Sequence, residues 1–200
     1  MKHSKLEAEE YISESFEGLN VSGCDLSAKV FDGCIFKNCD FSEAILHKCK
    51  YIDCHFLSCN LSLVKIQQAT FSDVYIEECK VVGVDWTEVS WSEYALVSPL
   101  KFYKSVVNDS SFFGLSLEDI EIQECKAHDV DFREGDFSGA DFSYTDFTNS
   151  LFNKTNLSDA DFTGATNFDI DLNYNEVSRA MFSRFEAVNL LESLDIVLVD

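Results

Sequence analysis

Proline is almost absent from this chain of 200 residues: Pro99 stands alone, and glycine occupies only eight positions. Ordinary turns lean on those two residues, so loops of the usual kind must be scarce. Bases are few as well, 15 Lys and Arg against 36 Asp and Glu, for a formal net charge of −21. Such a surface repels nucleic acid and anionic membrane and attracts basic partners. No apolar run approaches the ~18 residues of a membrane span, and Met1–Tyr11 has none of the apolar stretch that a secretory signal carries. These shortages predict a soluble, cytoplasmic protein that engages neither membrane nor nucleic acid. Catalytic sets are missing too: there is no glycine-rich phosphate loop, no G-x-S-x-G and no His-x-x-x-His pair. The four His are scattered, and carboxylates on a convex surface have no pocket to shift their pKa values. The expectation is a non-enzyme without cofactor or metal.

What the chain does have is a period. From Val130 to Ala165 every fifth residue is Phe or Leu: Phe132, Phe137, Phe142, Phe147, Phe152, Leu157 and Phe162. Two residues before each centre sits a small or β-branched residue, such as Gly135, Ala140 or Thr145, often with Asp or Asn between. Five matches neither the strand period of two nor the helix period of 3.6. It is an internal repeat. The same frame runs from Phe16 to Leu96, slips by one residue, and resumes at Phe102. Fourteen of the 18 Phe and both Trp fall on centres, where chance places about a fifth. A fixed period this long predicts a solenoid, each turn burying its neighbour's inward side chains.

The cysteines check the frame independently. All eight, from Cys24 to Cys125, lie two residues before a centre. Small buried thiols account for this. Disulfides are disfavoured in a cytoplasmic chain. Zinc is disfavoured because Cys-x4-Cys repeats the core frame rather than a ligand spacing, and His47, His55 and His128 fall on other slots.

The frame small–Asp/Asn–Leu/Phe–x–x, as in Ala140-Asp141-Phe142-Ser143-Tyr144, resembles that of the pentapeptide-repeat proteins over about Glu14–Ala165. The resemblance implies an all-β fold: a right-handed quadrilateral β-helix with four pentapeptides per coil, centres and small residues inward. The segments DCHFLSCNLSLVKI, GVDWTEVSW and NDSSFFGLSL and the tail AVNLLESLDIVLVD are further similar to the albicidin-resistance group and, more distantly, to the Qnr quinolone-resistance class. That similarity implies DNA gyrase as partner, protected from a topoisomerase poison. The alternative is an acidic interaction scaffold for another basic partner.

If 20 residues make a coil, residues 20 apart stack about 4.8 Å from one another. Counting in this way, and adding one for the slip, sets Asp53, Asp73, Glu93, Gly114 and Glu134 in one column. Like charges stacked across strands destabilise a sheet, so folding alone has no use for such a column. A second patch gathers Glu77, Glu78, Glu118, Asp119, Glu121 and Glu124, extended by Asp141 and Asp161. For any single acid a solvated surface suffices as the explanation, and Asp before a centre has a local role in backbone hydrogen bonding. As a set they predict a duplex-like negative rod that fits a basic DNA-binding groove.

The slip falls at Tyr94–Leu100, where Pro99 removes a donor and restricts Ser98. The large centres Trp86 and Trp91 precede it, so a bulged corner or a bend is expected, with a partner-contacting loop as the alternative. Three segments follow: an irregular cap over 1–13, the β-helix over 14–167, and a cap and dimerisation segment over 168–200. In the last, Ser183-Arg184-Phe185-Glu186 matches a capping box, and Ala187, Leu190, Leu191 and Leu194 share one face of a short α-helix. Ile196-Val197-Leu198-Val199 then reads as a strand. The tail is more apolar than a cap requires. Ala187, Leu190, Leu191, Leu194, Ile196 and Leu198 are the candidate homodimer interface, and the resemblance implies a two-fold dimer here.

Overall fold

The computed structural model describes residues 6–91, 98–194 and 196. A centre must point inward while both neighbours point out, which is the alternation of a very short strand. The strands are two to four residues long: β1 (Glu10–Ile12), β2 (Ser15–Glu17), β3 (Val30–Asp32), β4 (Ile35–Lys37), β5 (Lys50–Ile52), β6 (His55–Leu57), β7 (Thr70–Ser72), β8 (Val74–Glu77), β9 (Leu100–Tyr103), β10 (Glu121–Gln123), β11 (Asp161–Phe162) and β12 (Met181–Phe182). β1, β3, β5 and β7 form one parallel sheet, and β2, β4, β6, β8, β9 and β10 another. The register steps by 20: Tyr11 pairs with Phe31, Phe31 with Tyr51, Tyr51 with Phe71. Isolated bridges such as Asn20–Asp40–Asn60 and Asp25–Ile45–Lys65 carry two further tracks. Each coil of this all-β solenoid thus holds four pentapeptides, one per track.

The chain turns two residues after each centre. Among the described residues, 23 non-glycine residues have positive φ, nearly all at that corner, and seven of the eight glycines share it. The left-handed conformation is costly for a residue with a Cβ. The corner N–H recovers part of the cost by bonding the next coil, as Asp53 does to the Ser72 carbonyl at 2.9 Å. Glycine is few because most corners are built without it.

Inside, rings of successive coils stack. Tyr11, Phe31, Tyr51 and Phe71 form one column with centroids 5.2, 5.1 and 5.3 Å apart, within the favourable range for offset rings. All the cysteines but Cys24 line the same interior. Seven are buried, Cys24 is exposed, and all eight are free thiols. One column runs Cys39, Cys59, Cys79: the Cys39 N–H donates to Cys59 Sγ at 3.4 Å and the Cys59 N–H to Cys79 Sγ at 3.2 Å. Each thiol donates in turn to a carbonyl of the preceding coil, Cys59 to Phe36 and Cys79 to Phe56. Ser105 and Thr145 serve the same column with hydroxyls. The small slot therefore favours a side chain that is compact and hydrogen-bonding.

The frame slip is larger than one residue. Ile76 pairs with Phe102, and the bridges Lys80–Val106 and Asp85–Ser111 keep the same offset of 26. Phe102 then pairs with Ile122 and the step of 20 returns. One coil thus carries a whole pentapeptide plus one residue in excess, which a count modulo five shows as a slip of one. The surplus falls in sequence between Ser90, whose N–H bonds the Ala69 carbonyl, and Pro99, whose carbonyl accepts from Val74. Residues 94–97 of the expected bulge lie outside the described residues. Trp86 deforms the coil locally, as so large a centre requires: the Gln68 N–H bonds the Glu88 carbonyl, twenty residues on, where Lys48 bonds Gln67, nineteen on, and Glu88 is not left-handed although Ala28, Lys48 and Gln68 of its column are. Trp86 is a buried centre that starts a 3-10 turn, Trp86–Glu88, and Trp91 donates its indole N–H to the Trp86 carbonyl.

Pairing does not stop near Asn167. Asn156 bridges Glu176, and β11 pairs with β12, Phe162 lying beside Phe182. Leu172, Val177 and Phe182 continue the five-residue frame after one irregular position, Asn167, where Phe168 fills the core instead. The expected α-helix is a 3-10 helix, Glu186–Leu194. Its repeat of three aligns Ala187, Leu190 and Ser193 inward. Ala187 and Leu190 pack on the core, and Ser193 Oγ accepts from the Leu172 N–H at 3.2 Å. The capping box does not form, because Ser183 Oγ accepts from Gly164 N–H instead. Of the expected closing strand, Ile196 is unpaired coil and the remaining residues lie outside the described ones.

Candidate partner-binding surface

The acids differ by their place in the frame; Glu77 and Glu118 follow a centre directly, and two other kinds stand out. Those before a centre are tied to the backbone. Asp40, Asp136, Asp141 and Asp161 each accept the N–H two residues on, at 3.0, 3.0, 3.0 and 2.7 Å. Asp146 is bound most heavily, by Asn167, Thr148 and His128. Burial pushes its pKa up, but those hydrogen bonds outweigh it and hold the carboxyl well below the usual range. Asp131 is lowered by the hydrogen bonds and charge of Arg133. Acids of the second kind occupy the left-handed corners: Asp53, Asp73, Glu78, Asp119, Glu124 and Glu134.

The 26-residue coil redistributes the predicted column. Val74 pairs with Leu100 and Lys101 with Glu121, so the column of Asp53 and Asp73 continues through Pro99 to Asp119. Glu134 belongs to a different track, beside Lys154, whose Nζ lies 3.2 Å from it. Glu93 lies outside the described residues. The second patch divides as well. Glu118, Asp119 and Glu121 stand on the boundary between the first two tracks, with Asp141 and Asp161 below Glu121 in its column. Glu77, Glu78 and Glu124 stand on the far side of the second track, next to His55 at 3.0 Å, Ser58 at 3.2 Å and Lys104 at 3.7 Å.

The structure thus joins the near halves of both predicted groups into one strip along a single boundary. Asp53, Glu118 and Asp119 have no basic partner within 4 Å among the described residues. Lys101 divides the strip. Its Nζ donates to Tyr75 Oη at 2.8 Å and lies 3.3 Å from Asp73 and 4.0 Å from Glu121. Those hydrogen bonds and charges outweigh its desolvation and raise its pKa. Asp32 and Asp159 also belong to the boundary; Asp32 lies before the slip and follows from counting by 20, whereas Asp159 could not be assigned by spacing alone because the true coil length is hidden in the slip. Asp159 is held by a two-pronged Arg179 contact at 2.6 and 2.5 Å.

The apolar tail residues part in the same way. Ala187 and Leu190 are turned into the cap, and Leu194 and Ile196 are exposed. Leu191 is half-buried and Leu198 lies outside the described residues. Phe185, 87% exposed and just ahead of the 3-10 helix, and Val188 within it precede Leu191 and Leu194 at intervals of three, making one outward stripe. Among the described residues no three His, Cys, Asp or Glu side chains are placed to hold a metal ion, and no helix is long and apolar enough to cross a membrane.

The family model for the pentapeptide repeat region matches residues 29–98 and 84–162. Solved structures of QnrB1, a plasmid-mediated fluoroquinolone resistance protein, share the fold. One trypsin-treated form superposes with a TM-score of 0.65 at 23% identity, covering 100% of this chain and 96% of that one. A second gives 0.64 at 24%, covering 95% and 90%. Full-length QnrB1 gives 0.58 at 23%, covering 94% and 90%. No curated protein is a significant sequence match.

Proposed function

This chain belongs to the pentapeptide-repeat family, and we propose that it binds DNA gyrase and protects it from a poison such as albicidin or a quinolone. It does so as a cytoplasmic DNA mimic, not as an enzyme, with its four tracks forming the faces of a right-handed quadrilateral rod. The observation that carries this reading is the acidic strip along one boundary. From Ser13 to Arg179 the nine corner positions of the first track climb eight steps, about 38 Å at ~4.8 Å per step. About 11 base pairs of duplex at ~3.4 Å each span the same length. A basic groove shaped for DNA finds on this strip the exposed carboxylates Asp53, Glu118 and Asp119, which have no basic partner among the described residues. The fold shared with QnrB1, itself a fluoroquinolone resistance protein, supports the same reading. Two copies joined through the exposed tail stripe double the rod and match a two-fold enzyme.

The test is gyrase supercoiling with and without albicidin, and separately with a quinolone, titrated with this protein. Rescue of supercoiling in the presence of a poison is the expected result. No rescue at any ratio would leave a scaffold for some other basic partner. Inhibition without rescue would separate mimicry from protection.

A further inference from the structure

Three of the exposed isoleucines crowd onto the N-terminal half of the acidic boundary. Ile12 is 61% exposed, Ile35 44% and Ile52 39%, and Tyr75 is exposed beside them. Ile12 and Ile52 flank Asp32 in one column of the ladder. Ile35, His55 and Tyr75 form the column across the corner, and the corner between carries Asp53 and Asp73. From Ile12 to Tyr75 the strip climbs three coils, about 15 Å.

The repeat supplies its own control for what folding needs at these places. The column of Ile12 and Ile52 continues as Ser72 and later as Ser138 and Ser158, with the ladder bonds intact. The column of Ile35 begins at Ser15. Serine therefore satisfies the same backbone positions, and burial does not account for isoleucine there. Large apolar side chains left in solvent and gathered in one place mark an interface. Here they alternate with carboxylates, and the bases nearby are already engaged, Lys101 by Asp73 and Tyr75 and His55 by Glu77.

We infer that the strip of Ile12, Ile35, Ile52 and Tyr75, laced with Asp32, Asp53 and Asp73, is a docking surface for a protein face that presents apolar side chains between Lys or Arg. The inference rests on the gyrase reading for the identity of that partner and adds what mimicry of DNA lacks. A duplex offers phosphates to a basic groove but no aliphatic anchors. The isoleucines make this end of the rod protein-specific, as apolar anchors ringed by polar contacts do in other interfaces. The acids set the approach and its salt dependence.

The test measures the affinity of purified gyrase for the full-length chain over a series of salt concentrations. Ile12→Ser/Ile35→Ser/Ile52→Ser should weaken binding about tenfold or more at every salt concentration, the loss expected of interface anchors, and leave the slope of log Kd against log salt unchanged. Asp53→Lys/Asp73→Lys should instead flatten that slope. Melting curves establish that the triple variant is folded. If it is not, Ile12→Ser alone, at the most exposed position, carries the same comparison. Wild-type affinity in a folded isoleucine variant overturns this inference and leaves the gyrase reading standing. Absence of any binding by the wild type overturns both.

Discussion

The indole of Trp86 lies nearly flat on the ring of Phe112, centroids 5.9 Å apart and planes 14° apart. The two are 26 residues apart in the chain, against the 20 that separate Phe112 from its next partner, Phe132. The stack shows that this track keeps its ring contact across the oversized coil. Trp91 and Ser98 would be consecutive positions of a regular coil if residues 92–97 were removed. Pro99 would then sit at a left-handed corner, which its ring forbids. Deleting 92–97 together with Pro99→Gly should therefore give a folded protein within about 1 kcal/mol of the wild type, since loop length changes closure entropy only slowly. Chemical denaturation measures this. Loss of the folded state would mean that the surplus residues hold the core together.

The thiols offer a test of the interior. Burial pushes Cys54 up to about 11 and Cys125 up to about 12, and thiolate is the reactive form. At neutral pH a thiol reagent should modify Cys24 quickly and the other seven only on unfolding. Rapid labelling of two or more would contradict the buried columns.

Asp146 predicts the acid response. Its folded pKa is depressed, so its contribution is fully present above the unfolded value of about 3.9 and fades as pH falls through the folded one. Asp146→Asn should cost about 1.5–3 kcal/mol at pH 7, the scale of hydrogen bonds to a charged group. The gap between the variant and the wild type should narrow below about pH 4, in a series of denaturation curves, as the carboxylate protonates. A gap constant across pH would mean that the charge contributes nothing.

Tail chemistry separates cap from interface. Phe185→Asp or Val188→Asp, on the outward stripe, should give a folded monomer where the wild type sediments as a dimer. Leu190→Asp, facing the core, should lower the melting temperature instead. A wild type that sediments as a monomer at micromolar concentration removes the dimer from the account.

The solenoid was legible because its rule is local. A centre every five residues, a small residue two before it and Asp between can be read without knowing what lies across the coil. Registers between coils were not legible where the count was ambiguous. A slip of one residue and an insertion of six look alike modulo five, and this moved Glu134 off the column of Asp53 and brought Asp119 onto it. Leu172, Val177 and Phe182 were readable as frame positions, but Asn167 hid their continuity. In the tail, Leu190, Leu191 and Leu194 fit a period of 3.6 as well as one of three. Only the anchoring of Ser193 on Leu172 decides which side faces the core.

The most direct test of the acidic strip uses its geometry as a control. Lys48, Lys104 and Lys154 already occupy left-handed corners, so lysine at such a position is compatible with the fold. Asp53→Lys/Asp73→Lys/Asp119→Lys reverses charge along one boundary, and Glu134→Lys reverses it on another track. In gyrase supercoiling assays with a quinolone or albicidin present, the triple variant should lose protection at concentrations where the wild type and Glu134→Lys retain it. Full protection by the folded triple variant would contradict the account.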